Sequence, residues 1–118
     1  MPPSELLLSV VVPCFDEEAV LPELERRVTA ACEGVAPGAY EIILVDDGSR
    51  DATATVIAGM SARNGAVVGV GLARNYGHQI AITAGLTFAR GRRVLVLDAD
   101  LQDPPELLPR MMSAMDGG

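Results

Sequence analysis

Three observations predict an α/β domain built on a mostly parallel sheet with helices on both faces. Short apolar runs rich in β-branched residues alternate along the chain with segments whose apolar positions recur at helical spacing. Those runs are continuous rather than alternating in hydrophobicity, the mark of strands buried on both sides. A polar cluster follows each one: Phe15–Asp16–Glu17, Asp46–Asp47, Arg74–Asn75 and Asp98–Asp100. In an open parallel sheet the carboxyl ends of the strands share one edge, and ligands bind there near a topological switch point.

The elements follow in order. Leu6–Val12 is the first strand, broken by Pro13, which removes a ladder donor. The acidic residues of Cys14–Phe15–Asp16–Glu17–Glu18 suit the positive end of a helix dipole and start a helix. Its apolar face is Val20, Leu21, Leu24, Val28, Ala31 and Cys32, and Gly34 and Pro37–Gly38 end it. Tyr40–Val45 is a second strand closing in Asp46–Asp47–Gly48–Ser49. Ser49 or Asp51 caps a helix that runs to Arg63 and stops at Asn64–Gly65. Val67–Leu72 is a third strand, followed by the polar loop Ala73–Gly77 and a helix His78–Arg90 with Gly91 as its C-cap. Val94–Leu97 is the fourth strand. Asp103 caps a last helix, with Pro104 in the first helical position and Glu106 closing a capping box. The chain stops at Asp116–Gly117–Gly118 after a helix, without a closing strand, so a truncated domain is expected.

Composition removes several function classes. The formal net charge is −7 and there is no lysine, so the clustered basic footprint of a nucleic-acid binder is missing. Cys14 and Cys32 have no CxxC or Cys/His spacing and read as two buried thiols in a reducing compartment. No apolar run approaches the roughly 20 residues of a membrane span. The start Met1–Pro2–Pro3–Ser4–Glu5 lacks the basic residues of a signal peptide, so this piece is expected in the cytoplasm.

The fourth strand delivers two carboxylates where it ends. Asp98 and Asp100, two apart on an extended backbone, point to one side while Ala99 points away. Like charges so close repel unless one is protonated or a cation lies between them. An all-oxygen pair with Gln102 beside it suits Mg2+ or Mn2+, with positions left for substrate phosphate oxygens; a solvated turn is the plainer alternative. Asp46 and Asp47 are adjacent, so at most one faces the ligand edge, where it can accept hydrogen bonds from a ribose hydroxyl or a base N–H. The other reading of this turn is an Asx-type turn with a helix cap.

A dinucleotide fold would need Gly-x-Gly-x-x-Gly after the first strand. Pro13–Cys14–Phe15–Asp16–Glu17 stands there instead and would repel a pyrophosphate. Gly69–Val70–Gly71 lacks the third glycine, and a Walker A loop is impossible without lysine. A diphosphate would therefore be neutralised through a metal on the acidic residues, aided by Arg74, whose guanidinium forks to oxygens; a solvated loop arginine is the other reading of Arg74. His78 suits a surface or capping role better than a phosphate donor at a helix start. Arg90, Arg92 and Arg93, near the amino end of the fourth strand, read as surface.

Taken together, VVVPCFDEE (10–18), ILVDDGSRD (43–51), LARNYGHQIAITAGL (72–86) and VLDADLQDPPE (96–106) resemble the family 2 glycosyltransferases of GT-A fold. The resemblance is to the bacterial polyprenyl-phosphate sugar transferase branch, akin to dolichyl-phosphate mannose synthase. It implies a Rossmann-like GT-A nucleotide-diphospho-sugar-binding domain of which residues 1–118 are the donor-binding part. It further implies a nucleoside held by Pro13, Phe15, Glu17 and one of Asp46 or Asp47, with Asp98, Asp100 and Gln102 at Mg2+ or Mn2+, and Asp98 and Asp100 as the catalytic pair. The reaction would be inverting transfer of one sugar to an undecaprenyl- or dolichyl-type phosphate, from a UDP-sugar first and a GDP-sugar second. A phosphate acceptor is already anionic, so positioning and metal stabilisation of the leaving diphosphate carry most of the catalysis. The acceptor site and any membrane helices would lie beyond position 118, with the whole protein at the inner face of the membrane. A family 2 transferase with a saccharide acceptor, and a nucleotide-binding module without turnover, are the alternatives.

Overall fold

The apolar runs become four strands, β1 (Leu8–Cys14), β2 (Tyr40–Asp46), β3 (Val67–Gly71) and β4 (Arg93–Val96). They pair in parallel in the order β3-β2-β1-β4. The computed structural model describes residues 6–100 and 104–117. Four helices accompany the sheet, α1 (Leu21–Val35), α2 (Thr53–Arg63), α3 (His78–Phe88) and α4 (Leu108–Gly117), the last preceded by a 3-10 turn Pro105–Leu107.

Alternation along β1 sends Leu8, Val10 and Val12 to one face, where they pack with Leu24 and Val28 of α1, Ile57 and Met60 of α2, and Leu108 of α4. Val11 points the other way and joins Ile43, Val45 and Ala81 of α3. Both faces are therefore covered, as the continuous apolar runs required. On the α3 side the cover is close: a Cβ on Gly85 would lie 2.4 Å from Val11 Cγ1 and 3.0 Å from Val45 Cγ2, so the helix backbone rests directly on the sheet.

The chain steps from β1 to β2 to β3 in one direction, with α1 and α2 on one face. It then returns across the opposite face through α3 to place β4 on the far side of β1. Because crossovers are right-handed, the reversal of direction must also reverse the face, and the switch point falls between β1 and β4.

Several boundaries differ from the sequence reading for identifiable reasons. β1 runs through Pro13 to Cys14. The Leu97 N–H donates to the Val11 carbonyl at 3.0 Å, toward β4, and the Asp47 N–H to the Cys14 carbonyl at 2.8 Å, toward β2. Pro13, two residues after Val11, faces the β4 side, where β4 has already ended, so its missing donor breaks no ladder bond. The acidic run does not open α1, which starts at Leu21 with Val20 as N-cap and only Glu23 acidic in its first turn. Asp16, Glu17 and Glu18 instead give their N–H groups to Ser49 Oγ (2.9 Å), Thr53 Oγ1 (2.8 Å) and Asp51 Oδ2 (3.4 Å), in the loop after β2 and at the start of α2. Neither cap expected for α2 holds the N-cap position, which is Ala52; Asp51, one residue earlier, accepts the Thr53 N–H at 2.9 Å.

α3 ends at Phe88 with Ala89 as C-cap, so Gly91 is not the cap. It lies where a Cβ would come within 2.6 Å of the Leu8 carbonyl carbon. Pro104 precedes the last helical segment, with Pro105 opening the 3-10 turn. The Glu106 carboxylate is engaged by Arg27 of α1, and Asp103, its expected capping partner, lies outside the described residues. Arg90 is not plain surface. Its backbone N–H and its guanidinium both donate to Glu41, buried at the amino end of β2, which also accepts the Ser9 hydroxyl. Cys14 and Cys32 are free and buried as expected. Burial pushes both thiols up to about 12, with the charges of Glu17 and Asp46 adding to the effect at Cys14.

Candidate functional site

All four polar clusters reach a cavity of about 560 Å³ at the carboxyl edge of the sheet, at the β1/β4 switch point, the third of them through Asn75. The end of β1 contributes Pro13, Phe15 and Glu17, the end of β2 Asp47, and the segment after β4 Asp98 and Asp100. Although β4 ends at Val96, two residues before Asp98, both aspartates still reach the cavity. Ala99 between them is buried and also touches it. Gln102 lies outside the described residues.

The electrostatics are those of an acidic pocket. Desolvation raises the Glu17 carboxyl above its ordinary range, and the negative charges of Asp100, Asp51 and Asp16 raise it further. Proximity of so many carboxylates is tolerable when a cation shares them. Among the described residues, no group of three or more His, Cys, Asp or Glu side chains is gathered closely enough to hold a metal. The chemistry of the donor set fits a hard divalent ion all the same: Asp98 and Asp100 offer carboxylate oxygens only, and a metal held by few protein ligands takes its remaining oxygens from water and substrate.

Asp46 and Asp47 take different directions. The Asp46 carboxylate accepts the Ser49 N–H at 3.0 Å, closing the turn, and Asp46 lines a second cavity between α2 and β3. Asp47 is the one beside the main cavity, yet its oxygens are occupied. Oδ1 accepts the Tyr76 N–H at 2.8 Å, while Oδ2 accepts the Gly77 N–H at 3.1 Å and the Asn75 side-chain amide at 3.1 Å. Gly48, at φ +67°, carries the turn against the same loop; a Cβ there would fall 2.2 Å from the Arg74 carbonyl carbon. So pinned, the loop turns Arg74 outward over the Tyr76 ring, 5.0 Å from its centroid, and Arg74 does not line the cavity.

The cavity also holds residues that sequence reasoning left out. Cys14 and Gly77 line it, and so does His78, which is exposed as expected and places Nε2 3.6 Å from Asp98 Oδ1. The available signal was the stretch Asn75–Tyr76–Gly77–His78, which enters a helix with no Ser, Thr, Asp or Asn in the N-cap position. Gly77 occupies that position, at φ +105°.

Residues 9–118 match glycosyl transferase family 2. The chain belongs to that family. The motif resemblance is thus borne out over nearly its whole length. The chain is 54% identical over 107 residues, 90% of its length, to the undecaprenyl-phosphate 4-deoxy-4-formamido-L-arabinose transferase of Pseudomonas paraeruginosa, and covers 31% of that protein. It spans about a third of the length of the curated relatives it matches. Among solved structures it is similar to S. aureus TarS 1–349, with TM-score 0.75 and 25% identity over 95% of this chain and 33% of that one. TarS 1–349 has also been solved in complex with UDP-GlcNAc. The mannosyltransferase PcManGT of Pyrobaculum calidifontis, in complex with GDP-Man and Mn2+, aligns with TM-score 0.70 and 25% identity over 79% of this chain and 27% of that one. The fold is that of the GT-A glycosyltransferases. Among the described residues no helix is long and apolar enough to cross a membrane.

Proposed function

We propose that this chain is the donor-binding part of an inverting family 2 glycosyltransferase that moves a sugar from a nucleotide-diphospho-sugar to a polyprenyl phosphate. The observation that carries the reading is the acidic cavity at the β1/β4 switch point, lined by Asp98 and Asp100, in a chain 54% identical to a transferase named for undecaprenyl phosphate. A UDP-sugar is the favoured donor and a GDP-sugar the second, since structural neighbours hold UDP-GlcNAc and GDP-Man. The acceptor site and membrane attachment, at the cytoplasmic face, are assigned to the length of the relatives that this chain does not span.

Each residue has a role in this reading. Pro13, Phe15 and Glu17 form the nucleoside wall. Asp98 and Asp100, with Gln102, hold Mg2+ or Mn2+. When bound, the ion supplies positive charge that stabilises the leaving nucleoside diphosphate. Asp47 is a positioning residue: its carboxylate holds the loop 75–77 and thereby sets His78 beside Asp98. Because a phosphate acceptor is anionic near neutral pH, the donor half needs to contribute no strong general base.

Calorimetric titration of the chain with UDP and with GDP, each in Mn2+ and in EDTA, tests the reading. Mn2+-dependent binding of UDP is expected. Absence of binding to either nucleotide by the folded chain would overturn the donor assignment, and binding indifferent to EDTA would overturn the metal.

A further inference from the structure

The loop after β1 contains the one non-glycine residue with positive φ among the described residues, Asp16 at +52°. Aspartate tolerates this region better than most residues, but it is still strained there and persists only where its surroundings over-determine it. Here they do. The Asp16 N–H donates to Ser49 Oγ, Oδ1 accepts the Arg50 N–H at 2.8 Å, and Oδ2 accepts Nε at 3.2 Å and Nη2 at 2.8 Å from the Arg50 guanidinium. The hydrogen-bonded guanidinium holds the Asp16 carboxyl below its ordinary range, so the pair is charged at neutral pH.

An ion pair this exposed contributes little to stability, Arg50 being 80% exposed. Its geometry has another effect. Fixed by Asp16, the Arg50 guanidinium lies over the Phe15 ring, 5.2 Å from the centroid, and Phe15 lines the cavity. The ring thus borders a fixed cation and the cavity at once. An unbacked phenylalanine on a loop would be free to change rotamer; a planar guanidinium both restrains the ring and polarises it.

We propose that Arg50 is a positioning residue for the nucleoside: anchored on Asp16, it backs Phe15 and fixes the aromatic wall against which the base of a nucleoside diphosphate lies. This rests on the donor-binding reading above. The Asp16–Arg50 clasp acts on the nucleoside end of the cavity and not on the carboxylates Asp98 and Asp100.

The test is titration of wild type, Arg50→Ala and Arg50→Lys with UDP in Mn2+ and, separately, with pyrophosphate in Mn2+, alongside thermal melting. Arg50→Ala is expected to weaken UDP about two- to fivefold, the size of an exposed cation–π contact. Pyrophosphate affinity and melting midpoint should stay at wild-type values. Arg50→Lys, which keeps a charge for Asp16 but lacks the planar fork, should recover only part of the loss. Unchanged UDP affinity in Arg50→Ala would overturn the proposal while leaving the donor reading intact. Equal losses for UDP and pyrophosphate, or a lowered midpoint, would reveal a merely structural role and overturn it too. A wild-type chain that binds no UDP would overturn the donor reading, and with it the proposal.

Discussion

The buried carboxylate of Asp47, just past the end of β2, accepts the backbone N–H of Tyr76 at 2.8 Å. The same side chain takes the Gly77 N–H and the Asn75 amide, so one residue closes the loop that leads into α3. Asp47→Ala would leave these donors unpaired at the cavity wall, and a loss of about 2–4 kcal/mol in urea denaturation is expected. Amide exchange at Tyr76 and Gly77 should accelerate well beyond exchange in the β1–β2 ladder. Retention of wild-type protection at those two amides would show that the carboxylate is not what holds the loop.

Asp98→Asn and Asp100→Asn should each reduce UDP affinity in Mn2+ to the level measured in EDTA. Both side chains sit at the cavity rim, and removing a charge from an acidic pocket relieves repulsion, so neither variant is expected to melt below wild type. A variant that keeps Mn2+-dependent binding would remove that aspartate from the metal site.

At the opposite edge of the sheet, Glu41 is 2% exposed and bonded to Ser9, to the Arg90 backbone and to the Arg90 guanidinium. Arg90→Ala strips the charge partner from a buried carboxylate that keeps two neutral donors. About 1–3 kcal/mol of stability should be lost, less than for a fully buried pair because the arginine itself is half exposed. Urea midpoints of wild type, Arg90→Ala and Arg90→Lys measure this, with lysine expected between the other two.

Arg27 of α1 donates to both oxygens of Glu106, and this hydrogen bonding brings the Glu106 carboxyl from 4.5 down to about 2. The folded state thus binds this proton more weakly than the unfolded chain does. Its contribution to stability is fully present above pH 4.5 and is lost as the pH falls toward 2. Glu106→Gln should lower the urea midpoint slightly at pH 6, with the difference vanishing near pH 2 and shrinking with added salt, because Glu106 faces solvent. A gap between wild type and variant that persists at the acid end would assign the effect to something other than the ion pair.

Strands and helices were legible because their signals are local. Val10–Val12, Ile42–Val45 and Leu95 are buried on a sheet covered from both sides, and a continuous apolar run announces that without knowledge of partners. The cavity edge was legible for the same reason, since a polar cluster after each strand needs only the parallel topology to be brought to one side. What was hidden depends on contacts between distant loops. The Asp16–Glu18 run resembles a helix start until Ser49, Asp51 and Thr53 are seen to take its N–H groups. Arg90 resembles surface until Glu41 is beside it. Choosing between Asp46 and Asp47 needed to know that one closes its own turn and the other reaches the loop before α3.

The pairing of β1 with β4 has a kinetic consequence. Leu8 pairs with Arg93 across all of α1, β2, α2, β3 and α3 in the sequence. Closing so long a loop is entropically slow, and contacts of this range are rewarded late on the folding route. The carboxylates after β4 and the residues after β1 therefore share a pocket only once this long-range pairing has formed. A half-folded chain cannot present half a working pocket, and occupancy of the pocket becomes a reporter of complete folding.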